Sequence, residues 1–348
     1  MAILRKITNR CFRTLFLTAI GCLLISNSAI AHHAFAGVFD MNTMTEVEGE
    51  VTSVIWRNPH IRFSILDADG VSWDIESNSV SILSRMDIPS DIIGVGDSIR
   101  VAGYGAINGS NAMWVNNMLL DNGQEVVLRP GVARVWTGEK VGNENTWLAG
   151  GSEIEEGETE STSIFRVWST HFTSDDRSLW ADSYPLTEAS KAALAKFDPY
   201  NSPIANCEPK GMIWLMEQPY PIEFVEADGK ILFYLEEYDS VRTIYMNGQL
   251  PQSAEHSLLG HSNGYWEDGS LVVTTTQINY PYFNSIGLMQ SEAINLLERF
   301  TPSANGRRLD YTVVIDDPAM FTEAVMLDKA WIWRPGEVVN PYKCARSE

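Results

Sequence analysis

Apolar and polar residues alternate along most of the chain, and alternation with a period of two predicts strands rather than helices. Between residues 44 and 128, TEVEGEVTSVIW alternates, and so does IRFSILDADGVSWDIES on both sides of Asp69-Gly70, a typical hairpin turn. SVSILSRM instead has its apolar residues at helical spacing, and GDSIRVAGYGA and NAMWVNNMLLDNG add two strands. Three strands, a short helix and two strands are the order of an OB-fold barrel.

The second half of the chain carries the same strand signals. PLTEASKAALAKF predicts a short helix with Thr187 as its cap. Beyond it, Asp228-Gly229 and Asp268-Gly269 each separate two alternating runs, a third hairpin follows, and AVMLDKAWIWRPG is a last long strand. About eight strands in up-and-down order are typical of a closed antiparallel barrel with a ligand-sized interior. We predict an all-β protein: an OB-like small barrel, then a calycin- or lipocalin-like antiparallel β-barrel.

The first 31 residues have the pattern of a secretory signal peptide. Four basic residues precede an apolar stretch from Leu15 to Ile25, and Ala29-Ile30-Ala31 is an A-x-A cleavage site. The apolar stretch is too short to span a bilayer comfortably, and no later segment is apolar enough to do so. We therefore expect a periplasmic or secreted protein without a transmembrane segment after cleavage. Acylation of Cys22 is a weaker alternative, because AIG is a poor lipobox.

These patterns divide the chain into four segments. Residues 1–31 are the signal peptide, 32–128 the OB-like domain, 129–162 a linker and 163–348 the barrel. The linker contains GGSEIEEGETEST, which is acidic, rich in glycine and nearly free of apolar residues, so that it cannot bury itself.

The charge and the cysteines narrow the function classes. With 25 Lys and Arg against 45 Asp and Glu, the net charge of −20 argues against nucleic-acid partners and anionic membrane surfaces. Cys207 and Cys344 remain after the signal is removed, and two cysteines in an exported chain most simply form one disulfide. Two free thiols acting as metal ligands are the less favoured alternative, because neither has a nearby Cys or His at zinc-site spacing.

Several motifs resemble two uncharacterised families of exported bacterial proteins. HHAF, FD, WRNPH and GDSIRVAGY in the first half resemble a periplasmic domain family of unknown function. FDPYNSPIANCEPKG, PYPIEF, EEYDSVRTI, GHSNGYWEDGSLVV and SEAINLLERF in the second half resemble an uncharacterised barrel family abundant in soil and marine bacteria. The resemblance implies location and architecture, and neither family implies a reaction.

A histidine pair follows the cleavage site. If His32 becomes the mature N-terminus, its amine and ring nitrogen can chelate Cu(II), with His33 or His60 as a further ligand, because imidazole suits copper. The alternative, which we prefer, is that the pair marks only the processing site and that His60 lies in a turn. No cofactor is therefore certain, and copper is the one that the sequence suggests.

Charged residues fall on predicted apolar strand faces in the barrel. Alternation places Glu237 with Ile231 and Leu235, and it places Arg242 and Glu298 on similar faces, so an interior Glu–Arg network beside His261 and Glu292 is predicted. A carboxylate among apolar residues can act as an acid or base. The candidate catalytic residues are Glu237, Arg242, His261 and Glu298. The alternative that we favour is a structural ion pair.

Aromatic side chains are concentrated in the same half and suggest a pocket for a ring-shaped ligand; ordinary core packing explains them equally well. With Glu292, the candidate ligand-binding residues are Trp214, Tyr220, Tyr265, Trp266 and Tyr282, near Tyr280 and Phe283. The sequence thus supports three functions. The first is a binding protein for a small, largely apolar or aromatic ligand held in the barrel. The second is an acid–base enzyme, a lyase, isomerase or hydrolase, in the same cavity. The third is copper binding.

Overall fold

The structure is a computed structural model, and it confirms an all-β protein with strands in two sheets. The described residues contain two short α-helices beside the sheets, and no helix among them is long and apolar enough to cross a membrane. The described residues are 37–136, 138–142, 163–170, 179–181, 183–199, 207–248, 255–334 and 336–344.

The first sheet has the strand order of an OB-like barrel. Its order is β3-β2-β1-β4-β5, and an additional parallel pairing between β3 and β5 closes it. Helix α1 lies between β3 and β4, and the Ser79 side chain caps it by accepting a hydrogen bond from the Ile82 amide. The elements are β1 Phe39–Ile55, β2 Arg62–Asp67, β3 Ser72–Glu76, α1 Val80–Arg85, β4 Ser98–Ala106 and β5 Ala112–Leu120.

The start of the predicted linker belongs to this first sheet. Strand β6 (Glu125–Val127) pairs with β5, and β7 (Lys140–Val141) pairs with β6 in parallel. The buried carboxylate of Glu125 accepts the backbone N–H groups of Val135 and Trp136 at 2.8 and 3.0 Å, which holds the segment in place. The composition of the predicted linker did not indicate that it joins the sheet, because a single buried glutamate holds it there. The acidic stretch that defined the linker lies outside the described residues.

The second sheet contains nine strands in the order β16 to β8 and is nearly closed. An isolated bridge between Ser169, directly after β8, and Ile332, the last residue of β16, joins its two edges. The strands are β8 Val167–Trp168, β9 Ile222–Ala227, β10 Lys230–Leu235, β11 Ser240–Met246, β12 His261–Glu267, β13 Ser270–Thr276, β14 Asn295–Pro302, β15 Arg308–Asp316 and β16 Val325–Ile332. Helix α2 (Glu188–Leu194) precedes β9, and Thr187 caps it as predicted.

One strand pair departs from the up-and-down order. Strands β11 and β12 are parallel, whereas the other pairs of the second sheet are antiparallel. The chain therefore leaves β11 at one end of the barrel and returns to the opposite end before β12. Apolar and polar residues alternate in the same way whichever direction a strand runs, so the sequence pattern did not show that β12 is parallel to β11.

Aromatic side chains fill the middle of the barrel. The Phe224 and Phe233 rings stack with centroids 4.2 Å apart, and Phe300 packs on both at 5.3 and 5.8 Å. Tyr311 and Trp331 continue the cluster, with centroids 5.5 Å apart. All five side chains are fully buried, so that ligand-accessible chemistry has to be sought at the barrel ends.

Candidate functional site

The described part of the second barrel contains two buried ion pairs, and the first joins interior side chains of strands β11 and β14. The guanidinium of Arg242 donates through Nη1 to Glu298 Oε1 at 2.9 Å and through Nη2 to Glu298 Oε2. Its Nε donates to Ser262 Oγ at 2.8 Å. Alternation along β11 and β14 brings these two charges to the same interior face, as predicted.

Further hydroxyl groups complete this pair. Thr275 Oγ1 donates to Glu298 Oε2 at 2.9 Å, and the Tyr311 hydroxyl donates to Glu298 Oε1 at 3.0 Å. Burial, and then the charge of Glu298, raise the pKa of Tyr311 well above its ordinary value, so its hydroxyl stays a donor. Each carboxylate oxygen thus accepts two hydrogen bonds. We call Arg242, Ser262, Thr275, Glu298 and Tyr311 the Arg242 network.

The second pair lies at the barrel end where β10 turns into β11. Lys210 Nζ donates to both carboxylate oxygens of Glu237, at 2.8 and 3.0 Å, and both side chains are buried. Glu237 was predicted to share the strand face of Leu235 and to join the Arg242 network. That prediction is wrong, because β10 ends at Leu235 and Glu237 begins a 3-10 turn (Glu237–Asp239). The turn breaks the alternation and aims the carboxylate at Lys210.

Gln218 and Lys329 extend this second pair. The side-chain oxygen of Gln218 accepts the backbone N–H of Glu237 at 2.9 Å. Lys329 Nζ donates to the carbonyl oxygens of Gln218 and Met216 at 2.8 and 3.2 Å. Complete burial lowers the pKa of Lys329 to about 7, against the opposing influence of the Glu217 and Glu237 carboxylates. An uncharged amine retains two N–H donors, which match these two carbonyl groups.

Aromatic rings cover the ion pair. The Trp214 ring lies 6.3 Å from that of Tyr280 and 6.1 Å from that of Tyr282, and the two tyrosine rings are 5.9 Å apart. Lys210 Nζ is 5.1 Å from the centroid of Trp214. Gly211 permits this close packing, because a Cβ at that position would lie 2.4 Å from the Cβ of Tyr280. We call Lys210, Trp214, Gln218, Glu237, Tyr238, Tyr280 and Tyr282 the Glu237 site.

The Glu237 site contains buried polar atoms without hydrogen-bond partners among the described residues. They are Gln218 Nε2 and the hydroxyl oxygens of Tyr238 and Tyr280. Burial first, and the charge of Glu237 second, raise the pKa of both tyrosines, so both hydroxyls stay protonated. Native proteins rarely leave buried polar groups unpaired, and a catalytic role or a bound partner is one explanation for those that occur.

Backbone strain occurs in the same place. Tyr238 and Asp239 in the 3-10 turn have φ of 58° and 51°, and Cys207 has φ of 53°. Bulky residues seldom adopt this left-handed region, and strained residues cluster at functional sites. Strain and unpartnered atoms therefore coincide at the Glu237 site.

A C-terminal strap, residues 336–344, holds the turn. The backbone N–H of Asn340 donates to Glu236 and that of Tyr342 donates to Asp239, both at 2.9 Å. The Tyr342 ring packs against Tyr238 at 5.2 Å. The predicted disulfide is confirmed: Cys207 and Cys344 are bonded, with Cα atoms 5.9 Å apart, so the strap is linked to the segment that carries Lys210.

Arg85 in α1 connects the OB-like barrel to this end of the second barrel. It donates to both carboxylate oxygens of Glu236 at 2.7 Å and to Glu337 of the strap at 3.0 Å. Although burial lowers the pKa of Arg85, the two carboxylates outweigh burial and raise it. The residue next to Glu237 is thus fixed from the first barrel.

The other predicted site residues lie elsewhere. His261 Nε2 is 2.7 Å from the carbonyl oxygen of Glu255, and Glu292 is exposed near His256. Both were predicted beside the Arg242 network, and neither belongs to it. Tyr265 and Trp266 are exposed on β12. Tyr220, by contrast, borders the Glu237 site: like Tyr238 it packs on Tyr342, with 5.5 Å between centroids, and burial and then the charge of Glu237 raise its pKa.

The copper hypothesis rests on residues that the structure describes only in part. His32 and His33 lie outside the described residues. His60 Nδ1 is hydrogen-bonded to Glu76, and its ring packs on Trp114 with centroids 5.0 Å apart. Burial raises the pKa of Glu76, but His60 and Arg62 outweigh burial and lower it. Among the described residues no group of three or more His, Cys, Asp or Glu is placed to hold a metal.

Sequence reasoning missed Lys210, Gln218, Tyr238 and Lys329. The first three lie in irregular segments, where alternation does not show which way a side chain points. Lys329 lies on β16, and its partner across the sheet is Tyr311, which was not a predicted site residue. Two sequence motifs could have indicated this site. CEPKG contains both Cys207 and Lys210, and EEYDS contains the strained turn. These stretches marked the family resemblance, and the structure brings them together.

The comparison with known proteins covers most of the first barrel. Residues 21–114 match a family described as a family of unknown function, DUF6152. The chain therefore carries an N-terminal domain of unknown function. No curated protein matches the chain.

Proposed function

We propose that this is an exported binding protein for a small, largely apolar or aromatic ligand, held at the Glu237 site at one end of the second barrel. The observation that carries the proposal is the combination of an aromatic trio, Trp214, Tyr280 and Tyr282, with buried polar atoms that lack partners. Apolar walls with a few converging polar groups are the usual composition of a ligand site.

The Arg242 network is the weaker location for a ligand. Its carboxylate and its guanidinium have their hydrogen bonds satisfied by neighbouring side chains, and Phe233 lies directly opposite Arg242 in the β10–β11 pairing. A ligand there would have to displace a completed set of contacts. At the Glu237 site it would supply contacts that the protein leaves unmade.

An acid–base enzyme, a lyase, isomerase or hydrolase, is the second candidate. Glu237, in contact with Lys210 and close to the tyrosine hydroxyls, is the group best placed to transfer a proton. Lys329, uncharged above a pKa of about 7, is a second titratable group next to Gln218. Glu237→Gln separates the two candidates: binding survives under both, whereas any conversion of a bound compound, followed by mass spectrometry, stops only if Glu237 is catalytic.

A neutral fluorescent probe, N-phenylnaphthylamine, tests the binding function. Its emission should rise with the wild-type protein. Tyr282→Ala, which removes a half-buried ring of the trio, should weaken binding, whereas Trp266→Ala, which removes an exposed ring on β12, should not. Equal weakening by both variants, or no emission change with the wild type, would contradict the proposed site.

Export and family membership complete the proposal. The A-x-A site and the disulfide support a periplasmic or secreted protein whose mature chain begins at His32. The motifs of the second half support membership of an uncharacterised barrel family. Intact mass of protein recovered from the periplasm should give the His32 start, and a retained signal would contradict it. Copper binding by the mature N-terminus stays a separate hypothesis.

A further inference from the structure

The unpartnered groups of the Glu237 site define the chemistry of the ligand. The side-chain oxygen of Gln218 accepts the Glu237 N–H, which orients the amide and makes Nε2 the unpartnered end. An amide nitrogen only donates hydrogen bonds, and a protonated tyrosine hydroxyl always has one donor. Lys210 uses two of its three N–H donors on Glu237. Among the described residues of the site, every unpartnered group can therefore donate a hydrogen bond, and none of them can only accept one.

The local charge disfavours an anion as the acceptor for these donors. The negative charges of Glu237 and the exposed Glu208 act on both the Tyr238 and the Tyr280 hydroxyls, where after burial they help to raise the pKa. The same potential repels a ligand carboxylate, and the net charge of −20 discourages its approach.

A cation also fits poorly. Aromatic rings and carboxylates attract cations, but Lys210 already lies over Trp214 and occupies both carboxylate oxygens of Glu237. An ammonium ligand has no acceptor to offer, and it would leave Gln218 Nε2 unpaired.

Resting on the proposed function, we infer that the ligand of the Glu237 site carries a neutral acceptor oxygen, a carbonyl group, attached to an apolar or aromatic ring system. The ring packs against the trio of Trp214, Tyr280 and Tyr282. The carbonyl oxygen accepts one hydrogen bond from the Tyr280 hydroxyl and a second from the Tyr238 hydroxyl or Gln218 Nε2, which supplies a partner that these buried groups lack.

Four probes that share one naphthyl ring test the inference. They are methyl naphthyl ketone, isopropenylnaphthalene, naphthoate and naphthylethylammonium, measured by quenching of tryptophan fluorescence. Isopropenylnaphthalene has the shape of the ketone with CH₂ in place of the oxygen. Because buried donors left unpaired are costly, the ketone should bind about tenfold more tightly than the alkene.

Variants link the difference to the site. Tyr280→Phe removes one unpartnered hydroxyl and should weaken ketone binding about fivefold to tenfold while leaving alkene binding unchanged. Tyr234→Phe, on the opposite face of β10 from Phe233, is the matched control and should change neither.

Each outcome is informative. Alkene binding as tight as ketone binding overturns the carbonyl inference but leaves a ligand site. Tightest binding of naphthoate or naphthylethylammonium replaces the inference with an anion or cation site. Ketone preference that Tyr280→Phe and Tyr238→Phe do not reduce places the carbonyl elsewhere and overturns the assignment. If none of the four probes binds, both the inference and the proposed function fail.

Discussion

The Arg242 network and the Glu237 site are two buried ion pairs in one barrel that differ in how completely they are paired. In the first, both carboxylate oxygens and the guanidinium find partners on neighbouring strands. In the second, the carboxylate is paired by Lys210, but an amide and two hydroxyls beside it have no partner among the described residues. Satisfied polar groups stabilise and specify a core, whereas unsatisfied ones store a cost that a ligand can relieve.

Breaking the Arg242 network should have the largest effect. Arg242→Met leaves Glu298 buried without its cation, and we expect a loss of about 3–5 kcal/mol in the free energy of unfolding. Urea denaturation followed by fluorescence measures it. Arg299→Met is the control, because its pair with Glu267 is exposed and should contribute only about 0–1 kcal/mol. A similar loss in both variants would show that burial does not set the difference.

The disulfide should affect the two pairs differently, because it joins the strap and the Lys210 segment but no strand of the Arg242 network. Replacing both Cys207 and Cys344 by Ala should cost about 2–5 kcal/mol of stability. It should also weaken binding of the naphthyl ketone, because the strap holds the Glu236–Asp239 turn. Denaturation and quenching measure the two effects. Unchanged affinity in the folded variant would show that the strap does not support the site.

Lys329 should make the free energy of unfolding depend on pH. Burial lowers its pKa from 10.5 to about 7. Between these values the unfolded chain binds more protons than the folded chain, so stability rises with pH across this window. Lys329→Met should reduce the gain in unfolding free energy between pH 7 and pH 9 by up to about 2 kcal/mol. Urea titrations at both pH values measure it, with exposed Lys196→Met as control. Parallel pH profiles would contradict the expectation.

A pair of matched substitutions tests one hydroxyl group in each of the two places. Tyr311→Phe removes a donor from the buried Glu298 and should cost about 1–3 kcal/mol, whereas Tyr280→Phe removes a hydroxyl without a partner and should be neutral or slightly stabilising. Thermal unfolding of both variants gives the comparison. A larger loss from Tyr280→Phe would show that its hydroxyl is paired in the folded protein.

The Arg242 network was predictable and the Glu237 site was not, for a physical reason. Arg242 and Glu298 lie on regular strands, where alternation alone decides which face a side chain occupies. Asp-Gly turns at residues 69, 228 and 268 fixed the hairpins in the same local way. The Arg242–Glu298 pair therefore followed from short-range pattern.

Lys210, Gln218 and Tyr238 lie outside regular strands, and only long-range contacts bring them together. Glu237 itself was assigned to the wrong network because one strained turn after Leu235 ends the alternation. The direction of β12 depends equally on a return of the chain that no local pattern encodes. Irregular backbone is where sites often lie and where periodicity carries no information.

The disulfide also determines how the molecule would bear mechanical load. Cys207 and Cys344 are separated by 137 residues, and the strands β9 to β16 lie between them. A force that pulls on the chain outside this ring passes through the sulfur bridge and bypasses these eight strands. When fully extended, the oxidised protein would be shorter than the reduced protein by roughly 450–490 Å, the length of chain inside the ring. Strands β9 to β16 and the Glu237 site are therefore shielded from tension for as long as the bridge stays closed, whereas β8 lies outside the ring.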